Sequence, residues 1–331
     1  MKHISILVPK GATALGCIEG PHKMFTTVNA VLAGMRKKPA FEVQLVGLSS
    51  EAQKYDGAFA VQPDATIDEI EETDLIIIPA VNGDFDKVLE MNKDFLPWIR
   101  QQYKGGAEIA SLCVGAFILA GTGLLKDRHC TTHWQSANEF RLMFPDVLLV
   151  EDRILTDEHG IYTSGGANSF WNLLLHILEK YIDRDMAVFF SKYFAIEIDR
   201  HSQSPFIMFK GQKQHEDEPI KKAQEFIEQN YQEKIMVDHL ASFLCLGRRN
   251  LERRFKKATS NTVAEYIQRV KIEAAKISLE SSRENVNEVM YKVGYSDPKA
   301  FRLTFKRITG LSPIQYRAKY NRENVAAVGA N

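Results

Sequence analysis

A thiol at a corner is the first residue whose surroundings could do chemistry. The strand-length run Ile109 to Leu112 leads straight into Cys113-Val114-Gly115 and then into the helix-forming Ala116-Phe117-Ile118-Leu119-Ala120. A strand, a sharp turn and a helix with a nucleophile at the bend is the layout of a nucleophile elbow. Gly115 would let the helix pack close to the strand, and the helix N-terminus would stabilise a thiolate and offer N–H groups to an anionic or carbonyl oxygen. Twenty residues on, His133 follows the short polar strand Arg128 to Thr132, from which it is expected to meet the thiol at a neighbouring strand end. A cysteine with a spatially adjacent histidine makes a nucleophile and its base. Packing is the competing reading, because cysteine is among the most buried residue types and His133 beside Trp134 also fits a hydrogen-bonded core histidine. Cys17, Cys130 and Cys245 are read as packing residues. The four cysteines have no close pair and no zinc-ligand spacing, so no disulfide scaffold, metal or cofactor is expected.

Arginine offers the second chemistry. Six of the ten residues from 248 to 257 are Lys or Arg. Leu251 and Phe255 are spaced i, i+4 to face a core, which leaves Arg248, Arg249, Glu252, Arg253 and Lys256 outward. The same arrangement recurs at an offset of 50: Leu251 aligns with Phe301, Phe255-Lys256 with Phe305-Lys306, Thr259 with Thr309, and Tyr266 with Tyr316. Upstream, at an offset of 49, Val237 and Leu240 align with Val286 and Val289, and Leu246 with Tyr295. Each copy reads as a short helix, a tight turn near Cys245 to Gly247 or Gly294 to Ser296, and a second helix: a helix-turn-helix, duplicated. In the second copy Lys299, Arg302 and Lys306 point away from the core. A basic second helix suits the major groove, where arginine contacts phosphates or guanine. A solvated basic face would explain one such helix but not two with the same core spacing.

Positioning these groups takes two domains, the expectation for 331 residues. Residues 1 to 218 hold 21 basic and 30 acidic side chains, while residues 219 to 322 hold 21 and 11. The overall charge of zero thus hides an acidic body and a basic module. Strand-length apolar runs lie at Ile4 to Val8, Phe41 to Leu48, Leu75 to Ile78, Ile109 to Leu112, Val147 to Val150 and Ile161 to Thr163. Helical patterns separate them, one opened by Pro21 with Met24, Phe25, Val28 and Leu32, another carrying Phe85, Val88, Leu89, Leu96 and Ile99. This alternation predicts an α/β, doubly wound, mostly parallel sheet, with ligands at the carboxyl ends of its strands. The domains are drawn as 1–200 and 220–322, joined by a polar linker over 201–219. Ile4 to Pro9 is too short for a signal peptide core, and Ala110 to Leu125 too short and glycine-rich to span a bilayer. A cytoplasmic protein with no membrane partner is expected.

The stretch Ser111 to Leu125, with Thr131-Thr132-His133-Trp134 and Thr163-Ser164-Gly165-Gly166, resembles the class I glutamine amidotransferase-like (ThiJ/PfpI) domain over about the first 200 residues. The resemblance implies a flavodoxin-like fold, an elbow cysteine at Cys113, a following histidine at His133, and a loop Pro79 to Gly83 whose N–H groups face the cysteine. Many members carry an acid after the first strand, where this chain has Cys17 with Glu19 two residues on; a second acidic position is Asn172. The missing acids favour a ligand pocket, formed by Asn82, Gly83, Cys113, Val114 and His133, over hydrolysis. A cysteine-dependent amidase or hydrolase activity is the alternative.

Residues Leu240 to Phe255, Val293-Gly294-Tyr295-Ser296-Asp297 and Gly310 to Arg317 are similar to the AraC/XylS transcription factors over about 100 residues. That similarity implies an all-α domain of two helix-turn-helix units joined by a long helix, here about Val263 to Leu279. It assigns base reading to Arg249, Glu252 and Arg253 in one helix and Lys299 and Arg302 in the other. Gly247 stands at the usual serine cap, and Ala258 to Asn261 lacks the usual glycine. Together the two resemblances match GlxA-type transcriptional regulators. They imply a non-enzymatic homodimer that binds promoter DNA, senses an amino acid, quaternary amine or related metabolite, and meets RNA polymerase.

Overall fold

Four aliphatic residues in succession, Leu75–Ile78, can all be buried only at the middle of a sheet covered on both faces, and all four are fully buried. The computed structural model describes residues 1–55, 58–198 and 201–321 and divides into two units, Met1–Gln203 and the chain from Ser204 onward. In the first unit seven strands form the main sheet: β1 (Lys2–Val8), β2 (Phe41–Gly47), β3 (Ala65–Thr66), β4 (Leu75–Ile78), β5 (Glu108–Leu112), β6 (Leu155–Glu158) and β7 (Ile161–Ser164). Their order is β6-β7-β5-β4-β1-β2-β3, parallel except for the antiparallel edge strand β6. The helices of this unit are α1 (Gly16–Gly34), α2 (Phe85–Met91), α3 (Phe95–Lys104), α4 (Ala116–Gly121), α5 (Ala137–Met143), α6 (Phe170–Tyr181) and α7 (Arg184–Tyr193). A doubly wound, mostly parallel sheet is what the alternation predicted.

The details differ in instructive places. Helix α1 begins five residues before Pro21, so Cys17 sits in its first turn and the proline lies inside the helix. The pattern from Phe85 to Ile99 is two helices. Asn92, fully buried, breaks it by accepting from the Lys10 N–H (2.8 Å) and donating to the carbonyls of Lys10 and Val88 (both 2.9 Å). The run Val147 to Val150 supplies only Leu148–Leu149, which pairs with His129–Cys130 outside the main sheet.

Every regular element among the described residues of the second unit is helical. Its elements are α8 (Glu218–Asn230), α9 (Val237–Phe243), α10 (Arg248–Thr259), α11 (Val263–Ser281), α12 (Val286–Lys292), α13 (Pro298–Thr309) and α14 (Pro313–Tyr320). Two small cores form. Ile220, Ile227, Leu240, Leu251, Phe255 and Tyr266 make one, and Ile272, Leu279, Val289, Met290, Phe301 and Tyr316 the other. Helix α11 contributes to both. The segment read as a linker is held at both ends. Gln203 is fully enclosed within the first unit, whereas the Ile207 carbonyl accepts from Lys276 Nζ (2.6 Å) and the Phe209 N–H donates to Glu273 (3.0 Å) in the second. Arg322, the expected last residue of the second domain, lies outside the described residues.

Candidate functional site

Strand β5 delivers Cys113 to its carboxyl end, where the backbone turns sharply at φ +56°. A left-handed conformation at a buried residue other than glycine costs about 1–3 kcal/mol and persists only where its surroundings enforce it. Here the Cys113 N–H donates to Ser164 Oγ (3.3 Å) on β7, and its carbonyl accepts from Thr132 Oγ1 (3.0 Å). A single helical turn, Cys113–Gly115, follows and runs into α4. Gly115 has no alternative, because a Cβ there would lie 2.5 Å from the Ile78 carbonyl oxygen and 2.8 Å from that of Pro79.

Enclosure works against a thiolate at this corner. Burial pushes Cys113 up to about 12, the nearby Cys17 adds to the rise, and the N–H of Val114 only partly opposes it. Cys17, itself pushed up to about 11 by burial, thus stands beside Cys113 in the place of an acid, and Glu19 turns away to the exposed Lys23 (3.8 Å). Burial thus works against the thiolate that the helix N-terminus was expected to stabilise.

His133 and Cys113 make no hydrogen bond to each other among the described residues. The imidazole Nδ1 instead accepts from the Gln135 N–H (3.2 Å), capping a short turn at Trp134–Ser136. That bond leaves Nδ1 unprotonated, and burial lowers the pKa of the ring. What joins the elbow to this loop is Thr132, which the sequence motif contains without assigning it a role. Val114 is buried beside Cys113, while Asn82 and Gly83 are exposed on the loop after β4. There Val81–Asn82 pairs with Ala12–Thr13, Asn82 Nδ2 donates to the Ala12 carbonyl (3.4 Å), and Gly83 takes φ +122°. Asn172, on α6, donates to the Glu197 carbonyl (2.7 Å). Cys17 and Cys130 are buried as expected, but Cys245 is exposed at φ +53°, a turn residue and not a packing one.

Gln203 was also invisible in the sequence. Its Nε2 faces four acceptors, the carbonyls of Thr132 (3.1 Å), Glu151 (2.7 Å) and Arg153 (3.2 Å) and Thr131 Oγ1 (3.4 Å), while its Oε1 has no partner. Through Thr132 the last residue of the first unit is two hydrogen bonds from the elbow.

In the helical unit the two copies repeat in burial as well as in sequence. From Leu251 to Thr259 and from Phe301 to Thr309 the buried residues fall at the same positions: Leu251, Phe255 and Thr259, then Phe301, Phe305 and Thr309. Arg248, Arg249, Glu252, Arg253, Lys299 and Arg302 are all exposed. Arg248 is engaged with Asp238 and Glu252 (both 3.1 Å), and Arg253 with Asn250 (3.1 Å). No ion pair holds Arg249, Lys299 or Arg302 among the described residues. Arg254 serves the fold, gripping Asp217 at 2.6 and 2.9 Å and so tying α10 to the start of α8. Leu303 is 61% exposed at the position matching Arg253, an outward residue that the offset of 50 locates but charge alone does not.

Residues 25–180 match the model of the DJ-1/PfpI family, and residues 240–319 that of a helix-turn-helix domain. The HTH-type transcriptional regulator GbdR of Pseudomonas aeruginosa is 24% identical over 268 residues, spanning 78% of this chain and 69% of that protein. The HTH-type transcriptional regulator GlxA of Rhizobium meliloti is 24% identical over 222 residues, 67% of this chain and 68% of that one. A crystal structure of a THiJ/PfpI family protein from Pseudomonas syringae superposes with a TM-score of 0.51 at 17% identity, covering 81% of this chain and 88% of the other, which shows a shared fold. With a DJ-1/PfpI sheet followed by paired recognition helices, the chain belongs to the helix-turn-helix transcriptional regulators that join a DJ-1/PfpI domain to an AraC-type DNA-binding domain.

Proposed function

We propose that the first unit senses a small nitrogenous metabolite at the elbow, beside Cys113, Val114, His133 and the Asn82-Gly83 loop, and is not an enzyme. The regulator then acts in the cytoplasm as a homodimer on promoter DNA, in contact with RNA polymerase. One observation carries the sensing reading: the backbone at Cys113 is held in a strained conformation, while burial disfavours its thiolate and no hydrogen bond joins the thiol to a base among the described residues. Strain kept without catalytic use fits a surface shaped for a ligand. A second support is the hydrogen-bonded path from Cys113 through Thr132 to Gln203, where the chain leaves the sheet for the DNA-reading helices. An effector controls DNA binding only by preferring one of two states of the protein, and this path supplies an element it can bias.

The DNA side rests on Arg249, Arg253, Lys299 and Arg302 as the groups that meet bases and phosphates. Helix α11, 19 residues and so about 28 Å long, spans both helix-turn-helix cores. That is close to one turn of duplex, about 34 Å. The deciding experiment is thermal unfolding of the full chain, as wild type and Cys113→Ala, against amino acids and quaternary amines, with each compound recovered afterwards. Stabilisation with the compound unchanged supports sensing. Consumption by wild type alone would make the unit an enzyme, and no stabilisation by any compound would reduce it to a scaffold.

A further inference from the structure

A cavity of about 470 Å³ lies in the first unit among α6, the start of β6 and the segment after α7, large enough for a small metabolite. Its polar lining is of mixed sign: Arg153, Asn172, His176, Glu179, Arg184 and His201. Two of these side chains are already engaged: Arg184 is ion-paired with Glu179 (2.7 Å), and His176 Nε2 shares a hydrogen bond with Asp157 (2.8 Å). Arg153 is exposed and in no ion pair among the described residues, and His201 stands near it. Asn172 is only 7% exposed; its Nδ2 donates to the Glu197 carbonyl (2.7 Å), and its Oδ1 accepts no hydrogen bond among the described residues. A carbonyl oxygen that lines a cavity can accept from the N–H or O–H of a ligand that enters it.

We propose that this cavity binds a small carboxylate that also carries an amino or hydroxyl donor, its carboxylate on the Arg153 guanidinium and its donor on Asn172 Oδ1. Arginine takes carboxylates in a planar, two-bonded grip, and the enclosed amide fixes which way round the ligand lies. The occupant would also act on the exit of the unit. The Arg153 carbonyl accepts from Gln203 Nε2 (3.2 Å) and from Thr131 Oγ1 (2.8 Å), and Arg153 bridges to Ser202. A ligand gripping Arg153 thus pulls on the backbone that anchors residues 201–203. This site goes beyond the elbow reading and does not depend on it, since none of its lining residues belongs to the elbow.

The test is thermal unfolding of the full chain with the protein L-amino acids, L-lactate and, as a carboxylate without a donor, acetate. A binder at ten times its Kd should raise the midpoint by roughly 3 °C or more, with acetate giving no shift. The rise should survive in Cys113→Ala and vanish in Arg153→Ala, whose exposed side chain makes no hydrogen bond or ion pair among the described residues. A rise that persists in Arg153→Ala overturns the proposal. If that same rise is lost in Cys113→Ala, the ligand belongs to the elbow; loss in both variants argues against a separate site. Absence of any shift across the panel also overturns it.

Discussion

The two helix-turn-helix copies bury the same positions but build their turns from different residues. At the turn before the reading helix, the second copy uses Gly294 at φ +76° and the first uses Cys245 at φ +53°. Past the end of the reading helix, Gly310 at φ +74° corresponds to Ser260 at φ +58°. At the start of that helix Asp297 accepts from the N–H groups of Lys299 (2.8 Å) and Ala300 (3.3 Å), whereas Gly247 caps α10 with no side chain at all. Core spacing is thus the invariant of the motif. A left-handed turn can be filled by another residue at a cost, provided there is room for its Cβ. Room decides which copy could relax: at Gly294 a Cβ would run into the Gln232 carbonyl and lie 2.7 Å from Lys271 Nζ, while Cys245 stands exposed.

Substitutions that exchange these solutions should separate the copies. Gly294→Ala should destabilise the helical unit by about 2–3 kcal/mol, combining strain with collision; urea unfolding that shows under 1 kcal/mol would deny the packing described for that turn. Next in size is the reading face. On an operator selected from random duplexes, Arg253→Ala should lose roughly 1–3 kcal/mol of specific affinity and relax discrimination at the base it faces. Leu303→Ala, the matching change in the second copy, should cost less and only where a thymine methyl lies opposite; equal losses would show that the copies read alike. Ser260→Gly should stabilise by about 1 kcal/mol, giving the first copy the turn the second already has. Smallest is Gly247→Ser, a gain of a few tenths of a kcal/mol from a restored cap, measured by calorimetry beside an unaffected Asp297 copy.

The same contrast explains what could be read without coordinates. Leu75–Ile78 and the Leu251/Phe255 pair announce themselves because burial on both sheet faces, or on one helix stripe, dictates residue type over consecutive positions. The edge strands Ala65–Thr66 and Leu155–Glu158 do not, since half-exposed positions accept polar residues. One helix was expected where α2 and α3 stand because the break comes from Asn92 meeting Lys10, a partner 82 positions away. At the elbow, the corner and its glycine were legible because a turn is local. The state of the sulfur was not, because it follows from enclosure and from Cys17 on another element. Nor was the use of His133, whose ring is taken by the Gln135 N–H, legible from residue types. Arg254 illustrates the remaining ambiguity: in sequence it is one more cation in a basic helix, and only Asp217 reveals it as structural.

Helix α11, shared by both small cores, has a consequence for searching DNA. Its Val263 and Tyr266 belong to one core and its Ile272, Ala275 and Leu279 to the other, so no flexible tether intervenes between the two reading helices. On the proposed reading, in which α10 engages one half-site, α13 is presented to the adjoining groove as an intramolecular partner, with its effective concentration set by a rigid spacer and almost no ordering entropy left to lose. Linked modules of this kind exceed the affinity of either alone by factors of about 10²–10⁴ when the spacing fits, and lose the whole advantage when it does not. Spacing between half-sites, more than the sequence of either one, is then the property by which this protein should tell its operators from the rest of the genome.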